Sequence, residues 1–213
     1  NSIKEDEKIV IVTNDRDMLQ LIGKKVAVYV INLRKIVTDE NYKDYFSHHH
    51  SNLKLIKIIS GDNSDNIKGI KGVSEKTLIR YFPEISSQTL TLEDIFSKIE
   101  LIQSARKTRL KTLDNIINKV TVGIQGKSIF EVNEKIINLK KPLLTESSKI
   151  ELDDLFVTPI DPEDRTTKNV IKMMLEDGLT MAIPGGRDGY INYIRPFLRI
   201  IKKEKTYFTN STK

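Results

Sequence analysis

GDNSDNIKGIKGVSEKTL, residues Gly61 to Leu78, is the stretch that decides the fold. It opens on two carboxylates, Asp62 and Asp65. Their i, i+3 spacing on a first helical turn would point both the same way. Ile67 to Gly72 then repeats an apolar–x–Gly pattern, and Ser74-Glu75-Lys76-Thr77 opens an amphipathic helix. Closely spaced glycines let a backbone turn tightly and present N–H groups to an anion. A phosphate there would meet backbone amides, a helix start and Lys76. Such contacts read a nucleic-acid backbone rather than its bases. The plain alternatives are helix caps for the acids and an ordinary helix–loop–helix turn for the glycines.

Upstream of this stretch the pattern is α/β. Lys8–Thr13 (KIVIVT) is β-branched and apolar at alternate and intervening positions, which predicts a strand covered on both faces. Asp15-Arg16-Asp17 follows at its carboxyl end, where α/β folds place their ligands. Asn14 or Asp15 can cap a short helix running to Gly23. Val26–Val30 reads as a second strand and Leu33–Val37 as a short third, followed by helical periods at 39–47 and 52–59. Downstream, strand signals fade. Amphipathic helices are expected at 74–82, 91–100, 102–119, 130–139, 148–155, 162–177 and 190–203, separated by Gly, Pro and Ser breaks. The division expected is 1–59 as an α/β part, 60–140 as a helical region built on the glycine turn, and 141–213 as a helical tail.

The chain has 213 residues, enough for one large domain or a domain with a smaller partner, and 38% of them are hydrophobic, enough for a packed core. Cysteine is absent, so disulfides and thiolate metal sites are excluded. No apolar run is long enough to span a bilayer. Thirty-five Lys and Arg against 29 Asp and Glu leave +6. That surplus permits attraction to phosphate, and its clustering matters more than its size. Arg106, Lys107, Arg109 and Lys111 form one group, Arg195, Arg199, Lys202, Lys203 and Lys205 a second, and Lys68, Lys71, Lys76 and Arg80 flank the glycines.

Two carboxylate pairs at a strand end and a loop suit an oxygen-only cation such as Mg²⁺ or Mn²⁺, not zinc. If the four acids gather without a metal, repulsion should raise the pKa of at least one. The histidines, His48-His49-His50, read as a solvated helix end, because neighbours on a helix diverge by about 100°. Tyr42, Tyr45, Phe46, Tyr81 and Phe82 fall at helical spacing and read as core rather than as base-stacking platforms.

Thr13–Ile22 (TNDRDMLQLI) and Gly61–Leu78 together resemble the 5′-nuclease superfamily of flap endonucleases, polymerase 5′-nuclease domains and phage 5′→3′ exonucleases. They match its T-x-D-x-D-h-x-Q-L and G-D-x-x-D-N-I-x-G-h-x-G-h-G-x-K-T motifs. The phage members that remove RNA primers, the ribonuclease H type, are closest in style. The resemblance covers residues 8–82 and fades beyond about 140.

The resemblance implies a fold that begins as the C-terminal part of an α/β nuclease core and continues as a mostly α, helix–three-turn–helix region like a helix-hairpin-helix. It implies a metal-dependent 5′→3′ nuclease, an exonuclease or flap endonuclease acting in DNA replication and repair. Asp15, Asp17, Asp62 and Asp65 are then catalytic carboxylates holding Mg²⁺ or Mn²⁺, with two ions about 4 Å apart. Lys68, Gly69, Lys71, Gly72, Val73, Ser74, Lys76 and Thr77 would grip DNA, and the turn can also hold K⁺. Ser74 departs from the family's Gly, which stiffens that turn.

The substrate implied is branched or nicked duplex DNA, or an RNA/DNA hybrid, in the cytoplasm of a bacterial or phage-infected cell. The family's remaining acids lie in an N-terminal half. That half is expected in the same or a separate polypeptide, with a replication protein as a further partner. The rival reading is a non-catalytic helix-hairpin-helix DNA-binding subunit whose acids are relics or caps.

Overall fold

The computed structural model describes residues 7–121, 128–159 and 166–179, with the single residues 189, 192, 193 and 195. Two units separate at residue 145, the first ending at Thr145 and the second beginning at Glu146.

The first unit starts with a three-stranded sheet. β1 (Ile9–Thr13) and β2 (Val26–Val30) run parallel, and β3 (Lys35–Val37) returns antiparallel on the far side of β2. Ile11 faces Val28 across the first pair, and Val28 faces Val37 across the second. A 3₁₀ turn, Arg16–Leu21, makes the crossover between the parallel strands. It drops Leu19 and Ile22 onto Val28, Val30 and Val37, and Tyr42 and Leu53 close this small core.

Three expectations change here. Val10 and Val12 are 49% and 64% exposed, so β1 is not covered on both faces. Among the described residues β1 is an edge strand of the sheet, as β3 is on the other side, and Ile11 is its residue that packs against the core. The helix expected after it is a tight 3₁₀ turn. The helix expected at 39–47 shrinks to Tyr42–Asp44. Asn41 explains this: its side chain accepts from the Thr38 N–H and donates to the Ile36 carbonyl, which ties the chain into a loop.

α1 (Leu53–Ser60) joins the sheet to a helical layer. Leu53 belongs to the sheet's core, whereas Leu55, Ile56, Ile58 and Ile59 enter a larger one. α2 (Glu75–Tyr81), α3 (Leu92–Ser104), α4 (Lys111–Ile117) and α5 (Ile129–Ile137) complete it with Leu78, Phe82, Ile95, Ile99, Leu113, Ile116 and Phe130. Thr91 starts α3 with a reciprocal capping box to Asp94. The break between α3 and α4 falls at 105–110, where one helix had been expected from 102 to 119. Gln103 holds it open: its side-chain oxygen accepts from the Leu110 N–H at 2.9 Å and its amide donates to the Leu110 carbonyl at 3.0 Å. Tyr42 and Phe82 are buried, in keeping with a packing role for the aromatic residues.

The second unit contains α6 (Glu146–Val157) and α7 (Thr167–Glu176), the latter capped by Thr166. The helix expected at 190–203 lies outside the described residues apart from 192, 193 and 195. Among the described residues no helix is long and apolar enough to cross a membrane.

Candidate functional site

α1 stops at Ser60 because Gly61 takes φ +74°, which carries the chain out of the helix. Asp62 and Ile67 then exchange both backbone hydrogen bonds, at 2.9 and 2.8 Å, closing a loop over residues 62–67. The Ile70 N–H returns to the Ile59 carbonyl at 2.8 Å. The two acids of this loop therefore sit against the last turn of α1. They are not on a helical turn, as their spacing had suggested; a bridged loop brings them together instead. Asp17 arrives from the 3₁₀ turn after β1. Asp17, Asp62 and Asp65 each offer a carboxylate oxygen, all within 4.8 Å of one another.

Lys57 lies between two members of this cluster. Its ammonium donates to Asp17 Oδ1 and to Asp62 Oδ2, and the three side chains are only 16%, 17% and 12% exposed. Asp62 Oδ1 also accepts from the Ser64 N–H and hydroxyl. Burial alone would raise the Asp62 pKa, but the hydrogen bonds from Lys57 and Ser64 and the Lys57 charge hold it down at about 2. The expectation of a raised carboxyl fails for Asp62 because a fixed cation sits beside it.

Lys57 was missed in the sequence. Its only signal is position: a lysine among the buried Leu55, Ile56, Ile58 and Ile59, one turn ahead of Gly61-Asp62. Asp15 is placed differently from the other acids. It lines the same open hollow of about 450 Å³ as Asp62, Asp65 and Lys57, but its Oδ1 accepts from the Asp17 N–H at 2.8 Å as a cap. Oxygen-only donors already gathered around positive charge fit a hard divalent cation.

The glycine turn packs directly behind the acids. A Cβ on Gly69 would overlap the Ser60 carbonyl and the Gly61 nitrogen, so this glycine permits a close backbone approach. Asn133 of α5 clamps the same place, donating from one buried amide to the carbonyls of Ile58 and Lys68, both at 2.9 Å. Gly72 takes φ +77°. Several amides of the turn are used inside the fold: Ile70 to Ile59, Lys71 to Val120 and Val73 to Ile70. Val73 itself is buried in the helical core, so its side chain does not face a ligand. Ser74, with extended backbone, caps α2 through the Thr77 N–H and its hydroxyl meets that of Thr77 at 3.0 Å. Glycine is not required at 74.

What the turn offers outward is chiefly side-chain charge, since Lys68, Lys71, Lys76 and Arg80 are exposed around exposed Gly72. The Lys71 carbonyl accepts from Asn115 of α4 at 3.0 Å. Arg106, Lys107 and Arg109, in the segment before that helix, and Lys111, its first residue, are also exposed. Arg109 pairs with Asp114, holding that carboxyl below the usual range.

The histidines are not a solvated helix end. His48 is 2% exposed, with Nδ1 3.1 Å from the His49 carbonyl oxygen. His49 adopts φ −75°, ψ 140°, so the helical divergence of neighbours does not apply, and its ring lies 4.5 Å from that of His50. Burial, then the neighbouring His50, lowers the His49 pKa. His50 Nε2 lies 2.6 Å from Asp39 Oδ1 and His49 Nε2 3.9 Å from it.

No family model matches the chain. A DNA polymerase I of Caldicellulosiruptor bescii is 37% identical over 109 residues, which cover 48% of this chain and 12% of that protein. A 5′-3′ exonuclease of Halalkalibacterium halodurans is 29% identical over 148 residues, covering 64% and 48%. The chain is similar to members of the 5′-nuclease superfamily. It spans less than half the length of either of these curated relatives. A solved structure of T5 5′-exonuclease with bound zinc is 18% identical, with a TM-score of 0.46, and the match covers 62% of this chain and 44% of that one.

Proposed function

We propose that the chain is the C-terminal portion of a metal-dependent 5′→3′ nuclease that hydrolyses phosphodiesters in branched or nicked duplexes. The observation that carries this reading is the convergence of Asp17, Asp62 and Asp65, the first two paired to the half-buried Lys57, with a lysine-flanked glycine turn directly behind them. Within it, residues 1–59 belong to the nuclease core, residues 60–140 hold the duplex as a helix–three-turn–helix, and residues 141–213, whose described part carries α6 and α7, are a separate part. The exonuclease relative supports the 5′→3′ direction. Flap cleavage and RNA-primer removal, in replication and repair, are the activities that suit this reading.

Asp17, Asp62 and Asp65 are the ligands proposed for Mg²⁺ or Mn²⁺, with Asp15 at the rim. When bound, such ions supply an acidified water and stabilise the leaving oxygen. The chain's own residues do the positioning. Lys57 keeps Asp17 and Asp62 facing one another, so the oxygen donors are gathered in advance. Lys68, Lys71 and Lys76 fix the duplex through its phosphates. A K⁺ ion in the glycine turn would add to that grip. An upstream half, from the same or another polypeptide, contributes the remaining acids, and a replication protein would recruit the whole in the cytoplasm.

The cap formed by Asp15 favours the second reading, a DNA-holding subunit without chemistry. One assay separates them. A 5′-flap duplex is offered to the chain alone and to the chain with its upstream half, with Mg²⁺ or EDTA. The nuclease reading expects Mg²⁺-dependent cleavage only in the combined sample. Binding without cleavage in every sample supports the DNA-holding subunit.

A further inference from the structure

The loop after β3 and the 3₁₀ turn His50–Asn52 that precedes α1 bring a second set of metal-ligating atoms together, away from the acid cluster. We propose that Asp39, His49 and His50 form a transition-metal site, suited to Zn²⁺, that staples the two ends of the connection between β3 and α1 together. Each residue offers one ligand atom, and the three lie within 4.8 Å. Two imidazoles and one carboxylate select a borderline cation such as zinc over Mg²⁺. Ligand atoms about 2.0–2.2 Å from a tetrahedral ion stand about 3.4 Å from each other. The measured separations from Asp39 Oδ1, 2.6 Å to His50 and 3.9 Å to His49, straddle that spacing. The Asp39 side chain is 55% exposed and free to adjust, whereas His50 is 11% exposed and held in place.

The surroundings hold an outer-sphere partner for His49 ligated at Nε2. Its Nδ1 lies 2.8 Å from the Ser51 hydroxyl, which is itself 2.8 Å from that of Thr89. A ligated His49 would carry its ring proton on Nδ1, giving up the Ser51 N–H that this atom now accepts at 3.3 Å and donating instead to the Ser51 hydroxyl, the outer-sphere arrangement that orients metal-bound imidazoles. His50 opposes tight binding. Its Nδ1 is buried with no hydrogen-bond partner, so moving the ring proton there on ligation has a cost. The site is therefore weaker than a closed four-ligand zinc centre, and its fourth position is open to water.

Co²⁺, which reports its ligands by visible absorption, is the probe. The full chain is titrated as wild type, Asp62→Asn, Asp39→Asn, His50→Ala and Ser51→Ala, with melting temperature followed in parallel. The proposal expects a Co²⁺ band and a raised melting temperature in wild type and in Asp62→Asn, reversed by Zn²⁺ displacement of the colour. Asp39→Asn and His50→Ala should lose the band, and Ser51→Ala should bind about 10-fold more weakly. Asp39→Asn guards against misfolding, because its side chain is exposed. Absence of Co²⁺ binding to wild type would overturn the proposal. So would a band that survives Asp39→Asn and disappears in Asp62→Asn.

Discussion

Replacing Lys57 with Met removes the cation between Asp17 and Asp62 and leaves two poorly solvated carboxylates facing each other. Truncating one partner of a buried ion pair costs about 3–5 kcal/mol. Here the three side chains retain 12–17% exposure, so water recovers part of that. The expected loss is about 2–3 kcal/mol at pH 7 in EDTA. For a chain of this size that corresponds to a fall of about 5–10 °C in melting temperature. The depressed Asp62 carboxyl, which Lys57 and Ser64 together hold down, points the same way. A carboxyl held at about 2 against an ordinary 3.8 contributes about 2 kcal/mol.

The sign follows from the depressed folded value. The contribution is complete above the unfolded pKa and is lost as pH falls through the folded one. Thermal melts of wild type and Lys57→Met, each in EDTA, should therefore differ most near neutrality, and the gap should narrow between about pH 4 and pH 2. Adding Mg²⁺ should restore the variant more than the wild type, since an ion can replace the missing charge. Equal melting temperatures at pH 7, or a gap independent of pH, would refute the role given to Lys57.

Other consequences are as direct. Asn133→Ala should cost about 2 kcal/mol, because it strands the carbonyls of Ile58 and Lys68 that its amide now joins; urea unfolding measures it. Gly69→Ala should cost about 1–3 kcal/mol and weaken duplex binding, since a Cβ there forces the turn away from Ser60. Lys76→Ala should leave stability unchanged and weaken DNA binding equally across sequences. Its salt dependence, read by fluorescence anisotropy, should lessen by about one phosphate contact.

Much of the architecture could be read from pattern alone. The strand Val26–Val30, helix α1 and the helix that follows the glycine turn come from β-branched runs, apolar periodicity and turn chemistry that act within a few residues. What escaped was tertiary. Nothing local to KIVIVT says that it lies at the outer edge of the sheet, or that Gln103 will bridge to Leu110 and divide a helix. The acids show both sides. Their motifs were visible, but their meeting depends on Gly61 and Gly69 folding a loop back on α1, and their charge balance on a lysine from a third segment. His48-His49-His50 was misread because the helical rule for adjacent residues was applied where the backbone is extended.

The most direct test of the metal-centre account is single-turnover cleavage of a 5′-flap duplex by the chain combined with its upstream half. Wild type is compared with Asp62→Asn, and duplex affinity is measured on the same samples. Asp62→Asn should abolish Mg²⁺-dependent cleavage while binding stays near wild type, because the exposed lysines around Gly72 are untouched. If Asp62 only organises its loop through Ser64, asparagine preserves that contact, and cleavage at the wild-type rate would contradict the metal centre.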